Sequence, residues 1–126
     1  MYVVEPTLIA HIRGMYPDAV VTLAEGETDL VEDMIITVHA TAFPFGGGRG
    51  VRWLVDFMVF VWQDHTKAME VARNIVKSMD AAVDTGSLGK IVNFTPSQLP
   101  SLVPNMTASQ GHVAVGFIAE CHAHYH

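Results

Sequence analysis

Three histidines at alternate positions near the C-terminal end are the candidates for metal chemistry in this sequence. In an extended strand, His122, His124 and His126 project from one face at intervals of roughly 6.5–7 Å. Glu120 shares that face, and a set of imidazole and carboxylate groups can bind zinc or nickel. A structural zinc site normally takes its ligands from two segments, and chain ends are commonly mobile. We therefore expect no physiological metal and no other cofactor, and keep adventitious metal capture as the alternative.

Nucleophilic catalysis has little support in the sequence. Cys121 lies on the apolar side of its predicted strand, where a thiol more often acts as a small buried hydrophobic group than as a reactive one. No GxSxG motif surrounds any of the serines considered as nucleophiles, which are Ser78, Ser87, Ser97, Ser101 and Ser109. The sequence therefore predicts no catalytic residues, and we expect that the protein is not an enzyme.

Asp56 is a charged residue in the middle of the most apolar strand of the sequence. A catalytic carboxylate would need an acidic or imidazole partner, and Asp64 with His65 is the only pair close in sequence. Buried charges are generally paired, so Asp56 either pairs with Arg52, four residues away on the same face, or contacts another subunit. We therefore take Arg52 and Asp56 as candidate residues of an oligomer interface.

The glycine-rich segment 43–50 separates two predicted strands and indicates a flexible hairpin. A phosphate-binding Walker loop would end in Gly-Lys-Ser/Thr and open a helix, whereas this segment opens a strand. Two aromatic residues, Phe43 and Phe45, lie beside the glycines. We predict that this hairpin reaches a neighbouring subunit, with Phe43, Phe45 and Arg49 as its contact residues.

The elements that position these residues are organised around one strand and the helix after it. Residues 51–62 are apolar on both faces, which predicts a central strand covered by helices on one face and by other groups on the second. Residues 65–84 show helical periodicity, with Asp64 or Thr66 as the N-cap and Gly86 as the C-terminal glycine.

The other segments complete an α+β fold. The patterns predict a further helix at 7–16 and strands at 19–24, 34–42, 90–94 and 111–123. Residues 95–105 carry three prolines and are predicted to run across the surface outside the sheet. We therefore expect one α+β domain over residues 1–126, with a single mostly antiparallel sheet and two helices packed on one face.

Composition limits the classes of partner. Half of the 126 residues are hydrophobic and only 16% are charged, which indicates more apolar surface than a monomer needs and favours a homo-oligomer. The net charge of −6, with only seven Lys and Arg residues, argues against electrostatic binding of DNA. A single cysteine excludes an internal disulfide, and no apolar run is long enough for a membrane span. We expect a soluble protein assembled in a cytoplasm.

The layout of the sequence resembles the tail terminator proteins of long, non-contractile-tailed bacteriophages. The likeness lies in the apolar strand 52–62, the helix 66–83 directly after it, the proline-marked segment 95–104 and the closing strand 112–121. Family members often carry basic residues in the strand after the proline segment, where this chain has His112. The resemblance covers nearly the whole chain and is one of layout rather than of a signature motif.

The resemblance implies a structural virion protein without an active site. Such a protein forms a ring, expected to be a hexamer, that caps the tail tube, ends tube polymerisation and joins the tail to the head. Its partners would be the tail tube protein and a head completion or connector protein, and DNA would pass through the lumen without specific binding. The alternatives are another head–tail connector or tail completion protein, or a small metal-binding module that uses the C-terminal histidines.

Overall fold

The computed structural model describes residues 4–23, 34–44, 50–103 and 112–124, which form two helices and five strands. The helices are α1 (Glu5–Met15) and α2 (His65–Thr85). The strands are β1 (Val20–Leu23), β2 (Met34–Pro44), β3 (Gly50–Trp62), β4 (Ile91–Leu102) and β5 (His112–His124). The predicted elements are all present, and their boundaries agree within about two residues except at the end of β4.

The five strands form one sheet with β3 at its centre. The strand order is β1-β2-β3-β5-β4, so β1 and β4 are the two edges. β1 pairs with β2 in parallel, and the other three neighbouring pairs are antiparallel. The predicted α+β class, with a mostly antiparallel sheet and a central third strand, is therefore confirmed.

Both helices pack on the same face of the sheet, which we call the helix-covered face, and the main core lies between them. Its interior follows the expected periods, because alternate strand residues and every third or fourth helix residue point inward. β3 contributes five buried residues, which are Trp53, Val55, Phe57, Val59 and Val61. α1 and α2 together contribute Leu8, Ile9, Ile12, Val71, Ala72, Ile75 and Met79.

Aromatic rings fill the centre of this core. Phe57 stacks on Phe117 of β5 with ring centroids 4.6 Å apart and planes 7° from parallel. Phe94 of β4 approaches Phe57 edge-on, with centroids 6.0 Å apart and an interplanar angle of 66°. These contacts join three strands through one side chain, because Phe57 lies opposite Phe117 in the register of β3 and β5.

The opposite face of the sheet has a smaller apolar cluster. Ile35, Phe60 and Ala114 are buried there, with Met58 and Val103 packed against them. Gly116 belongs to this region, and a Cβ atom at Gly116 would lie 2.8 Å from the Sδ atom of Met58. Asp56 and Trp62 on the same face of β3 are exposed. The predicted cover on the second face of β3 is therefore confirmed only around Phe60.

Helix α2 begins at the predicted residue and ends one residue later than predicted. The side chain of Asp64 accepts a hydrogen bond of 2.9 Å from the backbone N–H of Lys67, which satisfies one of the free donors of the first turn. Gly86 adopts φ 75°, a left-handed conformation that favours glycine, and the N–H of Ser87 bonds the carbonyl of Ala82. Of the two N-cap candidates the structure selects Asp64, and the predicted C-terminal glycine, Gly86, is confirmed.

Replacing Asp64 with alanine should lower the free energy of unfolding by about 1 kcal/mol, because the Lys67 N–H loses its acceptor. Urea-induced unfolding of the two proteins at one concentration measures this difference. Asp64→Asn is the control, since an asparagine side chain retains the capping oxygen. An alanine variant as stable as the parent would show that the cap does not contribute.

The prediction that residues 95–105 lie outside the sheet is wrong for the part that the structure describes. β4 continues through Pro96 to Leu102, and Pro96 pairs with Ala119 of β5. β4 is an edge strand, where a proline nitrogen directed away from the neighbour removes no ladder hydrogen bond. Three register shifts along β4 accommodate the irregular backbone. In the described part of the chain, no helix is long and apolar enough to cross a membrane.

Candidate functional site

A polar cluster of Arg52, Glu120 and His122 lies on the opposite face of the sheet, where β3 pairs with β5. Arg52 is opposite His122 in the register, and Glu120 is the diagonal neighbour of Arg52. The Nε atom of Arg52 lies 3.4 Å from Oε1 of Glu120, and the imidazole Nε2–H of His122 donates to the same oxygen at 3.0 Å. Two cationic or donor groups therefore share one carboxylate oxygen.

This arrangement favours the charged form of Glu120. The hydrogen bond from His122 lowers the pKa of Glu120 below its ordinary value, and the charge of Arg52 acts in the same direction. Because the pKa is lowered in the folded state, the associated stabilisation is present above the ordinary carboxyl pKa. It is lost as the pH falls through the lowered pKa.

Replacing His122 with alanine should raise the pKa of Glu120 toward its ordinary value, because the largest cause of the lowering is removed. Titration of the Glu120 side-chain carboxyl carbon by NMR measures the change. His122→Gln is the matched control, since the amide can still donate to the carboxylate. An unchanged titration in the alanine variant would contradict the assignment of His122 as the principal cause.

Of the two alternatives for Asp56, an ion pair with Arg52 or a subunit contact, the structure does not show the first, since Arg52 pairs with Glu120. Four residues along a strand separate the two Cα atoms by about 13 Å, and Glu120 on the neighbouring strand is closer to Arg52. Asp56 is exposed and lies opposite His39 of β2, which is also exposed. Asp56 is thus not a buried charge, and its role in an oligomer interface stays a prediction.

The C-terminal histidines are only partly within the described residues. The side chain of His122 is engaged with Glu120, and the backbone of His124 belongs to β5. The side chain of His124 and all of His126 lie outside the described residues. Within the described part of the chain, no three metal-ligating side chains come together.

The hairpin contact predicted at 43–50 is described only at its ends. Phe43 belongs to β2 and lies opposite Arg52 in the register, although its side chain is outside the described residues. Phe45 and Arg49 also lie outside them. The predicted role of this hairpin in reaching a neighbouring subunit therefore stays a prediction.

Cys121 is a buried residue of the core. Its side chain is fully inaccessible on the helix-covered face, as its position in the alternating pattern predicted. Burial raises the pKa of the thiol to about 12, and the charge of Glu120 adds to the increase. The thiolate needed for nucleophilic attack is therefore strongly disfavoured.

Two side-chain contacts that join α2 to α1 and to Tyr16, the C-cap residue of α1, were not predicted from the sequence. Nε2 of His11 on α1 lies 2.7 Å from the hydroxyl oxygen of Ser78 on α2, and Asn74 donates to the hydroxyl of Tyr16 at 3.3 Å. Partial burial lowers the pKa of His11, which favours the neutral imidazole that such a contact can use. The four residues show no sequence motif, because their proximity depends on how α1 and α2 pack together.

An open groove of about 470 Å³ runs between α2 and the end of β4. Its lining residues are His65, Thr66, Met69, Glu70, Arg73, Asn74, Lys77 and Leu102. Arg73 and Lys77 are both exposed, and Glu70 is the acidic residue among those lining the groove. The groove thus combines an apolar side chain on the edge strand with two cations on the helix.

Edge strand β4 also exposes large apolar side chains. Leu99 is 72% exposed, Leu102 is 50% exposed and Val92 is 47% exposed. Val20 on β1, the other edge of the sheet, is 40% exposed. Exposed apolar side chains on an edge strand make that edge a candidate surface for protein contacts.

The sequence matches no protein-family model and no curated protein.

Proposed function

We propose that the chain is a subunit of a homo-oligomeric ring that caps the tail tube of a long, non-contractile-tailed bacteriophage, ends tube polymerisation and joins tail to head. The main support for a ring is the exposure of edge strand β4. This strand has one strand neighbour among the described residues and exposes Val92, Leu99 and Leu102. Burial of each such side chain would contribute roughly 1.5–3 kcal/mol to the free energy of association. Contact with a second chain along this edge would therefore be favourable.

The positions of the two edges favour a ring over a symmetric dimer. β1 and β4 are the opposite edges of the sheet; β1 exposes Val20, and β4 exposes Val92, Leu99 and Leu102. A contact between two different surfaces is heterologous, and it generates a ring whenever the rotation between successive copies closes. Both edges of every subunit are then covered, which also protects them from uncontrolled strand pairing.

The tail-terminator role rests on the sequence resemblance and agrees with the fold. The resemblance implies an α+β subunit that works through interfaces rather than through an active site. The described chain has the α+β architecture with two helices on one face, and its cysteine is buried rather than reactive. The net charge of −6 would repel DNA phosphates and so favour passage of DNA through a lumen without binding.

The mass of the assembled protein and its place in the virion test this proposal. Sedimentation equilibrium should give a closed oligomer, with six times the 13.8 kDa chain mass expected for a hexamer. Electron microscopy of the particle should place the ring directly on the last ring of the tail tube. A monomer at high concentration would refute the ring, and density on the portal side would favour a connector instead.

A further inference from the structure

Edge strand β4 lacks the regular repeat of β2, β3 and β5, whose antiparallel registers run without a shift. Ile91 and Phe94 both lie in the core, although a regular strand returns to the same face after two residues rather than three. The register of β4 with β5 is interrupted between Ile91 and Asn93, between Pro96 and Gln98, and between Gln98 and Ser101. The longest uninterrupted stretch is 93–96, which ends at a proline. The open edge of β4 therefore offers no continuous row of backbone groups.

Two prolines also remove hydrogen-bond donors from this strand. Pro96 pairs with Ala119 of β5, and a proline in an edge strand places its nitrogen on the side without a neighbour. Pro100 lies within the third interruption. Neither nitrogen carries a hydrogen. A strand added along this edge would therefore leave a carbonyl without a donor opposite Pro96, and Pro100 could not supply one either.

A side chain holds the second interruption in place. Directly after Pro96, the hydroxyl of Ser97 donates a hydrogen bond of 3.3 Å to the carbonyl of Ile118 on β5. This bond joins the two strands at the point where their backbone register shifts. The irregular path of β4 is thus maintained by a contact within the subunit.

β4 has none of the charges that commonly keep sheet edges apart. Residues 91–102 include no Asp, Glu, Lys or Arg. Three of its apolar side chains are exposed, which are Val92, Leu99 and Leu102. Uncharged strands of this kind pair between molecules most readily when they contain no proline. Pro96, Pro100 and the register interruptions are therefore the features of β4 that oppose such pairing.

The exposed apolar side chains coincide with the interruptions. Val92 and Leu99 have no partner in the register of β4 with β5, and both are exposed. A bulge residue leaves the strict alternation between the two faces of a sheet, so its side chain takes another direction. β4 thus presents apolar side chains at the places where its backbone cannot pair regularly.

We propose that the β4 edge is closed to strand addition, and that a second copy of this chain contacts this edge through side chains rather than through backbone pairing. The side-chain contact rests on the ring proposed above, whereas the closure follows from β4 itself. The other edge strand, β1, has only four residues, and very short edge strands also resist pairing. Subunits joined in this way do not continue one another's sheets, so the assembly does not grow as a fibre.

Replacing both prolines tests the closure. Pro96→Thr with Pro100→Thr restores two N–H groups and introduces strand-forming side chains without adding charge. The double variant should form open-ended assemblies with an average mass at least about tenfold above that of the parent, because neighbouring chains can then pair along this edge. Sedimentation velocity measures the mass, and the infrared amide I band and thioflavin T fluorescence detect intermolecular sheet.

Two further variants separate pairing at the edge from misfolding. Pro17→Thr removes a proline from the turn before β1, outside the sheet, and should assemble as the parent does. Adding Gln98→Lys to the proline double variant places a charge at an exposed residue of β4 and should abolish the open-ended growth. A single exposed lysine would not rescue a misfolded chain.

The outcomes distinguish the closure from the ring. A proline double variant that assembles as the parent does would overturn the closure, as would growth that Pro17→Thr shares or that Gln98→Lys fails to abolish. A parent protein that is monomeric at every concentration would overturn the ring and the side-chain contact, but the double variant should still grow. A closed ring of the parent that shows intermolecular sheet in the amide I band would overturn the side-chain contact and leave the ring intact.

Discussion

Replacing Phe57 with alanine is expected to lower the free energy of unfolding by about 3–5 kcal/mol. Phe57 is fully buried in the central strand, stacks on Phe117 and meets the edge of Phe94. Alanine would remove the ring from the junction of three strands and leave a cavity, because rigid neighbouring strands on both sides limit collapse. Since single domains are stable by only about 5–15 kcal/mol, this loss takes much of the total.

Urea-induced unfolding, followed by far-ultraviolet circular dichroism, measures the loss. Both proteins are compared at one concentration, because the proposed self-association would also contribute to stability. Trp62→Ala is the matched control, since Trp62 is an exposed aromatic residue of the same strand. We expect the Trp62 variant to lower the free energy of unfolding by less than about 1 kcal/mol. A Phe57 variant no less stable than the Trp62 variant would show that the three-strand aromatic contact is not central to the fold.

Replacing Leu99 with lysine is expected to weaken self-association by about 10- to 100-fold. Leu99 is the most exposed of the large apolar side chains on β4, so it contributes little to the core of the subunit. Its burial in an interface would contribute roughly 1.5–3 kcal/mol, and about 1.4 kcal/mol corresponds to tenfold in a dissociation constant. A lysine at this place would also bring a charge to an apolar contact.

Sedimentation velocity over a range of concentrations measures this effect. Gln98→Lys introduces the same charge at the adjacent exposed residue of β4 without removing an apolar group, and should have a much smaller effect. The free energy of unfolding of the Leu99 variant should stay within about 0.5 kcal/mol of the parent under conditions where both are monomeric. Unchanged association would exclude Leu99 from the interface.

The parts of the fold that were predictable are those with a regular hydrophobic period. β3, α2 and β5 have long uninterrupted patterns, and the caps at Asp64 and Gly86 define α2 locally. β4 was predicted too short because Pro96 and Pro100 argue against a strand only when it has neighbours on both sides. Whether a strand is at an edge depends on the strand order, which no local pattern determines.

The polar cluster could not be predicted for a similar reason, because it depends on which strands are neighbours and on their register. Arg52 and Asp56 share a face and are close in sequence, yet the partner of Arg52 is Glu120, sixty-eight residues away. The register of β3 with β5 brings Arg52, Glu120 and His122 together. The sequence could place all three on one face of their strands, but it could not specify the register that connects them.

The position of β5 in the sheet has a consequence for how the chain reaches its native state. β5 follows all the other described strands in the sequence, yet it is inserted between β3 and β4 and pairs with both. The sheet therefore cannot close on a nascent chain until β5 has left the ribosome, and β4 remains without a strand neighbour until then. Such distant pairing slows folding and prolongs exposure of unpaired strands. β4 therefore becomes a paired edge strand only after β5 has emerged, so any contact that another chain makes through this edge should follow that step.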